Sequence, residues 1–328
     1  MFDGCWVVAA LLFFVISFES NGYLLTRNVN QRYNSHLHFS REGSSLIQSF
    51  HLNEDDHSLF HEIRPIVGNE EEEDEVELWY PTTRRSFYVD DGTSINIRQT
   101  SFGCGKLGSS IWPSSIALCC HLLSDTSILK NDYKILELGA GCGLPSAFLL
   151  ASSHTNSVLA TDFWQSDDGN DKDRLFPNSL FGTNLDYNIQ KNRNNNNVGQ
   201  VIKYDWHEYP SLDDESHPIR QFAPDIIVGS DLIYYPEDVD PFLQTLKRIV
   251  SNDNVKMAIF FFPMSEDTKR EALPEFQRKI MQEPWFPKHH VQLDIVQLHQ
   301  IVYSTNKNDT NLSTTKEDPF LRLMLQKK

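Results

Sequence analysis

The sequence predicts an α/β fold built on a doubly wound, mostly parallel sheet. Three observations carry that prediction. From Tyr133 onward, short apolar runs alternate with stretches of helical periodicity, as when crossover helices bury strands on both faces. The first of these runs ends in a glycine-rich loop that opens a helix. Forty per cent of the residues are hydrophobic and 12% aromatic, enough to cover such a sheet and to exclude global disorder.

The elements follow in chain order. Residues 5–18 read CWVVAALLFFVISF, fourteen residues without a charge. A membrane span takes about twenty, so the stretch is shorter than a span and fits the apolar region of a targeting signal. The positive start of such signals is absent, and Asp3 is the early charge. The expectation is an apolar leader over 1–22, cleaved as a signal peptide or, if uncleaved, acting as an anchor. Residues 23–84 are expected to be a weakly structured acidic and polar leader, with one short helix between 45 and 62. The Glu70–Glu77 block within it reads as a solvated linker. The main folded domain is expected over 85–328. It begins with a β-hairpin, strands at 86–90 and 94–100 around Asp91-Gly92. A helix follows from 113 to 123, opened by Pro113.

Beyond it, strands are predicted at 133–138, 157–161, 200–204, 224–232 and 255–262, and helices at 144–152, 180–192, 239–251 and 265–281. Two late strands occupy 290–303 and 320–325. Residues 165–178, acidic and polar, and the asparagine run 194–197 read as insertions.

Charge and cysteine usage exclude several classes. The chain has 45 Asp plus Glu against 29 Lys plus Arg, a formal charge of −16. Nucleic-acid binding by counterion release needs the opposite sign, so no nucleic-acid partner is expected. The five cysteines form neither a disulfide framework nor a zinc spacing, and no metal site is expected. Sequons at Asn308 and Asn311 matter only if the chain enters the secretory route.

The strongest local signal is Glu137-Leu138-Gly139-Ala140-Gly141-Cys142-Gly143. Glycines there allow a sharp turn and a close ligand approach. The spacing is G-x-G-x-G, not the G-x-G-x-x-G of a pyrophosphate loop. Glu137 would repel a pyrophosphate and suit a cationic ligand such as S-adenosylmethionine. Asp162 closes the second core strand, where a carboxylate accepts hydrogen bonds from ribose hydroxyls.

Residues 136–145, Thr161-Asp162, Asp205-Trp206, Gly108 to Pro113 and Ser230-Asp231-Leu232-Ile233-Tyr234 together resemble methyltransferase family 16. The D-x-x-Y segment, Asp231 to Tyr234, is the most specific mark. The resemblance covers about 85–325 and implies a seven-stranded, Rossmann-like class I methyltransferase that uses S-adenosylmethionine to modify lysines on proteins. It implies that Trp112 lies over the methionine end of the cofactor, that Gly139, Ala140 and Gly141 wrap it and that Asp162 holds its ribose. Trp206 would flank the adenine, Ser230 would line the cofactor through its backbone, and Asp231 and Tyr234 would face the incoming lysine. A protein bearing the target lysine is the implied partner. Stable membrane contact is expected only if the apolar leader stays attached. The resemblance implies a cytoplasmic location, whereas the leader points to an organelle or the secretory route. The alternatives are the same fold methylating an arginine, a histidine or a small-molecule amine, and a non-catalytic binding module of this fold.

Overall fold

The computed structural model describes residues 45–52, 60–65, 82–100, 107–129, 132–152, 157–164, 179–194, 196–264, 270–282, 288–304 and 314–328. The apolar leader, the Glu70–Glu77 block, the 165–178 insertion and both sequons lie outside them. Five parallel strands form the centre: β5 (Lys134–Leu138), β6 (Ser157–Asp162), β7 (Val198–Lys203), β8 (Ile226–Ser230) and β9 (Met257–Pro263). Two long antiparallel strands, β10 (His289–Ser304) and β11 (Thr314–Lys327), continue the sheet, with β11 against β9. This gives the expected seven strands, in the order β10-β11-β9-β8-β5-β6-β7.

Strand parity assigns the two faces. Ile135, Val158, Ile226 and Phe261 point to one core, and Leu136, Leu159, Ile227 and Phe260 to the other. On the first face lie α1 (Pro113–Ser124), α2 (Leu144–Ala151) and α3 (Ser179–Asn192). The second carries α4 (Val239–Val250) and α5 (Leu273–Gln282). In α4, Val239, Phe242, Leu243, Leu246, Ile249 and Val250 are buried at helical spacing.

The expected helix between 45 and 62 is instead two strands, β1 (Ser45–Leu52) and β2 (Phe60–Pro65). β1 runs antiparallel to β10, from Leu46 opposite Ser304 to Leu52 opposite Leu298. The reason is tertiary. β10 would otherwise present a long open edge, and β1 satisfies its backbone donors and acceptors while burying Phe50 and Leu52. The hairpin, β3 (Thr82–Val89) and β4 (Ser94–Thr100), is present but does not stand alone. β2 pairs with β3, so the described strands make one 11-stranded sheet ending at β4. Ordered strands thus extend into the segment expected to be a weakly structured leader. Buried Glu62 on β2 is locked to Arg85 on β3 by bonds of 2.7 and 2.8 Å.

Helix α3 closes the free edge of β4. Asn192 accepts from the Asn96 amide at 2.7 Å and donates back to its carbonyl at 2.8 Å. One turn earlier, Asn188 repeats the pair on Arg98, with both bonds at 2.8 Å. Asn188 also donates to the Cys142 carbonyl in the glycine loop at 2.8 Å. Asn197, in the run read as an insertion, is buried and donates to the Leu150 carbonyl at the end of α2. The Asn188→Ala variant is expected to lose about 2–3 kcal/mol, because the buried backbone groups of Arg98 lose their partner. Denaturant unfolding checks this; a loss below about 0.5 kcal/mol would contradict the bridging role.

Candidate active site

The chain passes from β5 outward through β6 and β7, then returns to β8 on the other side of β5. Open α/β sheets bind ligands at such a switch, beyond the carboxyl ends of the strands. The loops after β5 and β8 meet there around a cavity of about 380 Å³. Gly139 and Gly141 have φ of 60° and 57°, left-handed values that favour glycine. A Cβ on Gly141 would come 3.1 Å from the Gly108 carbonyl oxygen, which brings the segment before α1 against the loop.

Asp162 fixes the loop. Its carboxylate accepts from the Gly141 amide at 2.5 Å and from its neighbour Phe163 at 2.6 Å. Burial pushes its pKa up to about 6, against the pull of those two amides. Each oxygen retains acceptor capacity, and Asp162 lines the cavity.

Gly139, Ala140, Gly141, Asp162, Trp206 and Ser230 all line this cavity, as do Trp112, Asp231 and Tyr234. Trp112 stands at the N-cap of α1, where Pro113 starts the helix. Trp206 opens a short helical turn capped by Asp205 and packs edge-on to Phe242 with centroids 5.8 Å apart. Phe163 and Trp164 are further lining residues that sequence reasoning missed. Two aromatic side chains directly after the ribose-type Asp162 were the available signal.

Glu137 departs from expectation. It shares strand parity with Ile135, so its carboxyl points toward α2 and away from the cavity. It is fully buried and accepts from the amide (3.0 Å) and hydroxyl of Ser146. Burial raises its pKa to about 8, so it is mostly uncharged at pH 7. The attraction to a cationic ligand read from the sequence is therefore not exerted by Glu137.

Asp231 also differs. It has φ of 55°, uncommon outside glycine, and its amide donates to the Phe261 carbonyl at 2.8 Å. Both of its carboxylate oxygens are already engaged. Arg270 binds it in bidentate fashion, Nε to Oδ1 at 2.9 Å and Nη2 to Oδ2 at 2.6 Å. Burial pushes the Asp231 pKa up, and the Arg270 bonds pull it back. Burial, then Asp231, hold the Tyr234 phenol well above its usual range, so it remains a donor. Arg270 was missed because a lone arginine before a helix carries no sequence signal. Among the described residues, no group of three His, Cys, Asp or Glu could hold a metal, and no helix is long and apolar enough to cross a membrane.

Over residues 89–282 the chain matches a family described as lysine methyltransferase. It is 22% identical over 180 residues to the human protein-lysine N-methyltransferase EEF2KMT, covering 51% of this chain and 48% of that protein. It is 26% identical over 199 residues to the protein-lysine N-methyltransferase rrg1 of Schizosaccharomyces pombe, covering 60% of each. To the protein N-lysine methyltransferase METTL21A of Danio rerio it is 29% identical over 145 residues, 44% of this chain and 56% of that one. The chain spans about half the length of the curated relatives it matches.

Glu137 generates a stability prediction. Its folded pKa, about 8, lies above its ordinary 4.5, so the folded state holds the proton more tightly. Its contribution is fully present below about pH 4.5 and is lost as the pH rises through about 8. Glu137→Gln, which cannot ionise, is expected to flatten the fall in melting temperature between pH 5 and 8. An unchanged slope in the variant would show that Glu137 is ionised in the folded protein.

Proposed function

Because the chain belongs to the lysine methyltransferase family, we propose that it is an S-adenosylmethionine-dependent N-methyltransferase acting on the side-chain amine of a protein lysine. The observation that carries this reading is the convergence of Asp162, the glycine loop, Trp112, Asp231 and Tyr234 on one cavity. The names of the relatives, protein-lysine N-methyltransferases, support a protein acceptor.

The residues present fit the cofactor. The missing Cβ at Gly141 lets the Gly108 backbone close against the loop, and Gly108, Gly139, Ala140 and Gly141 together form one wall of the cavity. Asp162 keeps acceptor sites for the ribose hydroxyls. Trp206 supplies an aromatic wall for the adenine, and Trp112 a ring face that attracts a sulfonium or ammonium. When bound, the cofactor supplies an already activated methyl group, so alignment is the main demand on the protein.

The acceptor amine must be neutral to attack, while a free lysine has a pKa of ~10.4. The walls around Asp231 and Tyr234 remove it from water and favour the neutral form. Asp231 opposes that effect, so its role is to align the arriving cation rather than to act as a strong base. Tyr234 forms the wall beside it, and the proton leaves to solvent.

Two outcomes are expected. Asp231→Asn, which tolerates the left-handed backbone, should cut label transfer from S-adenosylmethionine to lysate proteins by about 10–100-fold, the loss of one charge-assisted hydrogen bond. Transfer at the wild-type rate would remove Asp231 from the site. Calorimetric affinity for S-adenosylmethionine should weaken as the pH falls through about 6, where Asp162 gains its proton. In Asp162→Asn that dependence should vanish; a wild-type curve flat from pH 5 to 8 would contradict the ribose role.

A further inference from the structure

Two aromatic rings and a carboxylate surround one cation. The Arg270 guanidinium carbon lies 4.3 Å from the Tyr234 ring centroid and 5.4 Å from that of Trp112. Its nitrogens take both oxygens of Asp231. The Asp231 side chain is 2% exposed and that of Arg270 17% exposed, so the arginine is the more accessible partner of the pair. Asp231, Tyr234 and Trp112, which hold it, all line the cavity, and on the reading above Asp231 and Tyr234 face the substrate lysine. An ammonium needs the same partners as a guanidinium, a carboxylate and ring faces. Two cations cannot share one buried carboxylate without strong repulsion.

We propose that Arg270 is the resident occupant of the acceptor subsite and that a substrate lysine enters by displacing it. This rests on the proposed methyltransferase reading and extends it to regulation and specificity. In the resting protein, Arg270 keeps Asp231 from being a buried, unpaired charge. Arg270 lies three residues before α5, where its carbonyl accepts from the Leu273 amide at 3.1 Å. Buried Leu273 and Phe276 anchor the helix, so the side chain can turn outward without unpacking the core. Displacement weakens every acceptor by a common amount. A protein substrate offsets that cost through contacts beyond its lysine, and a free lysine has none. The site is thereby restricted to protein acceptors.

The test uses the full chain as wild type, Arg270→Ala and Arg270→Gln, saturated with S-adenosylhomocysteine for binding and with S-adenosylmethionine for turnover. Methylguanidinium and N-acetyl-lysine methylamide are titrated by calorimetry. Both probes are expected to bind the variants at least tenfold more tightly than the wild type. The KM for methylation of N-acetyl-lysine methylamide should fall at least fivefold. Cofactor affinity in each variant reports that the fold is retained. Equal probe binding in all three proteins, or a raised KM with cofactor affinity intact, would overturn the proposal and make Arg270 a positioning residue for Asp231. If the probes bind as expected but neither wild type nor variants transfer methyl to any lysine, the proposed function fails and the resident cation stands.

Discussion

The site depends on one contact, the Gly141 amide held by the Asp162 carboxylate. It joins the loop after the first central strand to the end of the second, and so sets the floor of the cavity. The contact exists because two constraints agree. Left-handed backbone at Gly141 turns its amide toward β6, and the parallel register of β5 and β6 brings Asp162 alongside. Asn188 secures the same loop from behind through the Cys142 carbonyl. The antiparallel extension is thereby coupled to the cavity, since Asn188 also binds the edge strand β4.

The electrostatics of the site are those of buried carboxyls handled in three ways. Glu137 is raised far enough to keep its proton at neutral pH and acts as a packing and hydrogen-bonding group. Asp162 is held partly ionised by two backbone amides and remains an acceptor. Asp231 is paired with Arg270, whose bonds oppose the upward push of burial on its pKa. Burial alone favours the neutral form in all three, and the partners present decide how far each departs from it.

The central fold was legible because apolar runs of strand length, separated by helical periodicity, leave few topologies. The glycine loop, Asp162 and the Asp231–Tyr234 segment were legible for the same reason, as they sit at the carboxyl ends of those runs. β1 was not, because Ser45–Leu52 has weak alternation and becomes a strand only against β10. The orientation of Glu137 could have been read from strand parity, since it lies between Leu136 and Leu138, which face the other core. The asparagines Asn188 and Asn192, one turn apart on α3, had no meaning until β4 lay beside them. Arg270 pairs with a residue 39 positions away, and no local pattern reports such a contact.

The central claim is that the glycine loop and Asp162 form an adenosyl-sulfonium site rather than a dinucleotide site. Calorimetric titration of the intact chain at pH 7.5 with S-adenosylhomocysteine and, separately, with NAD tests it most directly. The expected result is saturable one-to-one binding of S-adenosylhomocysteine and none of NAD. Binding of NAD in its place, or of neither ligand, would contradict the account.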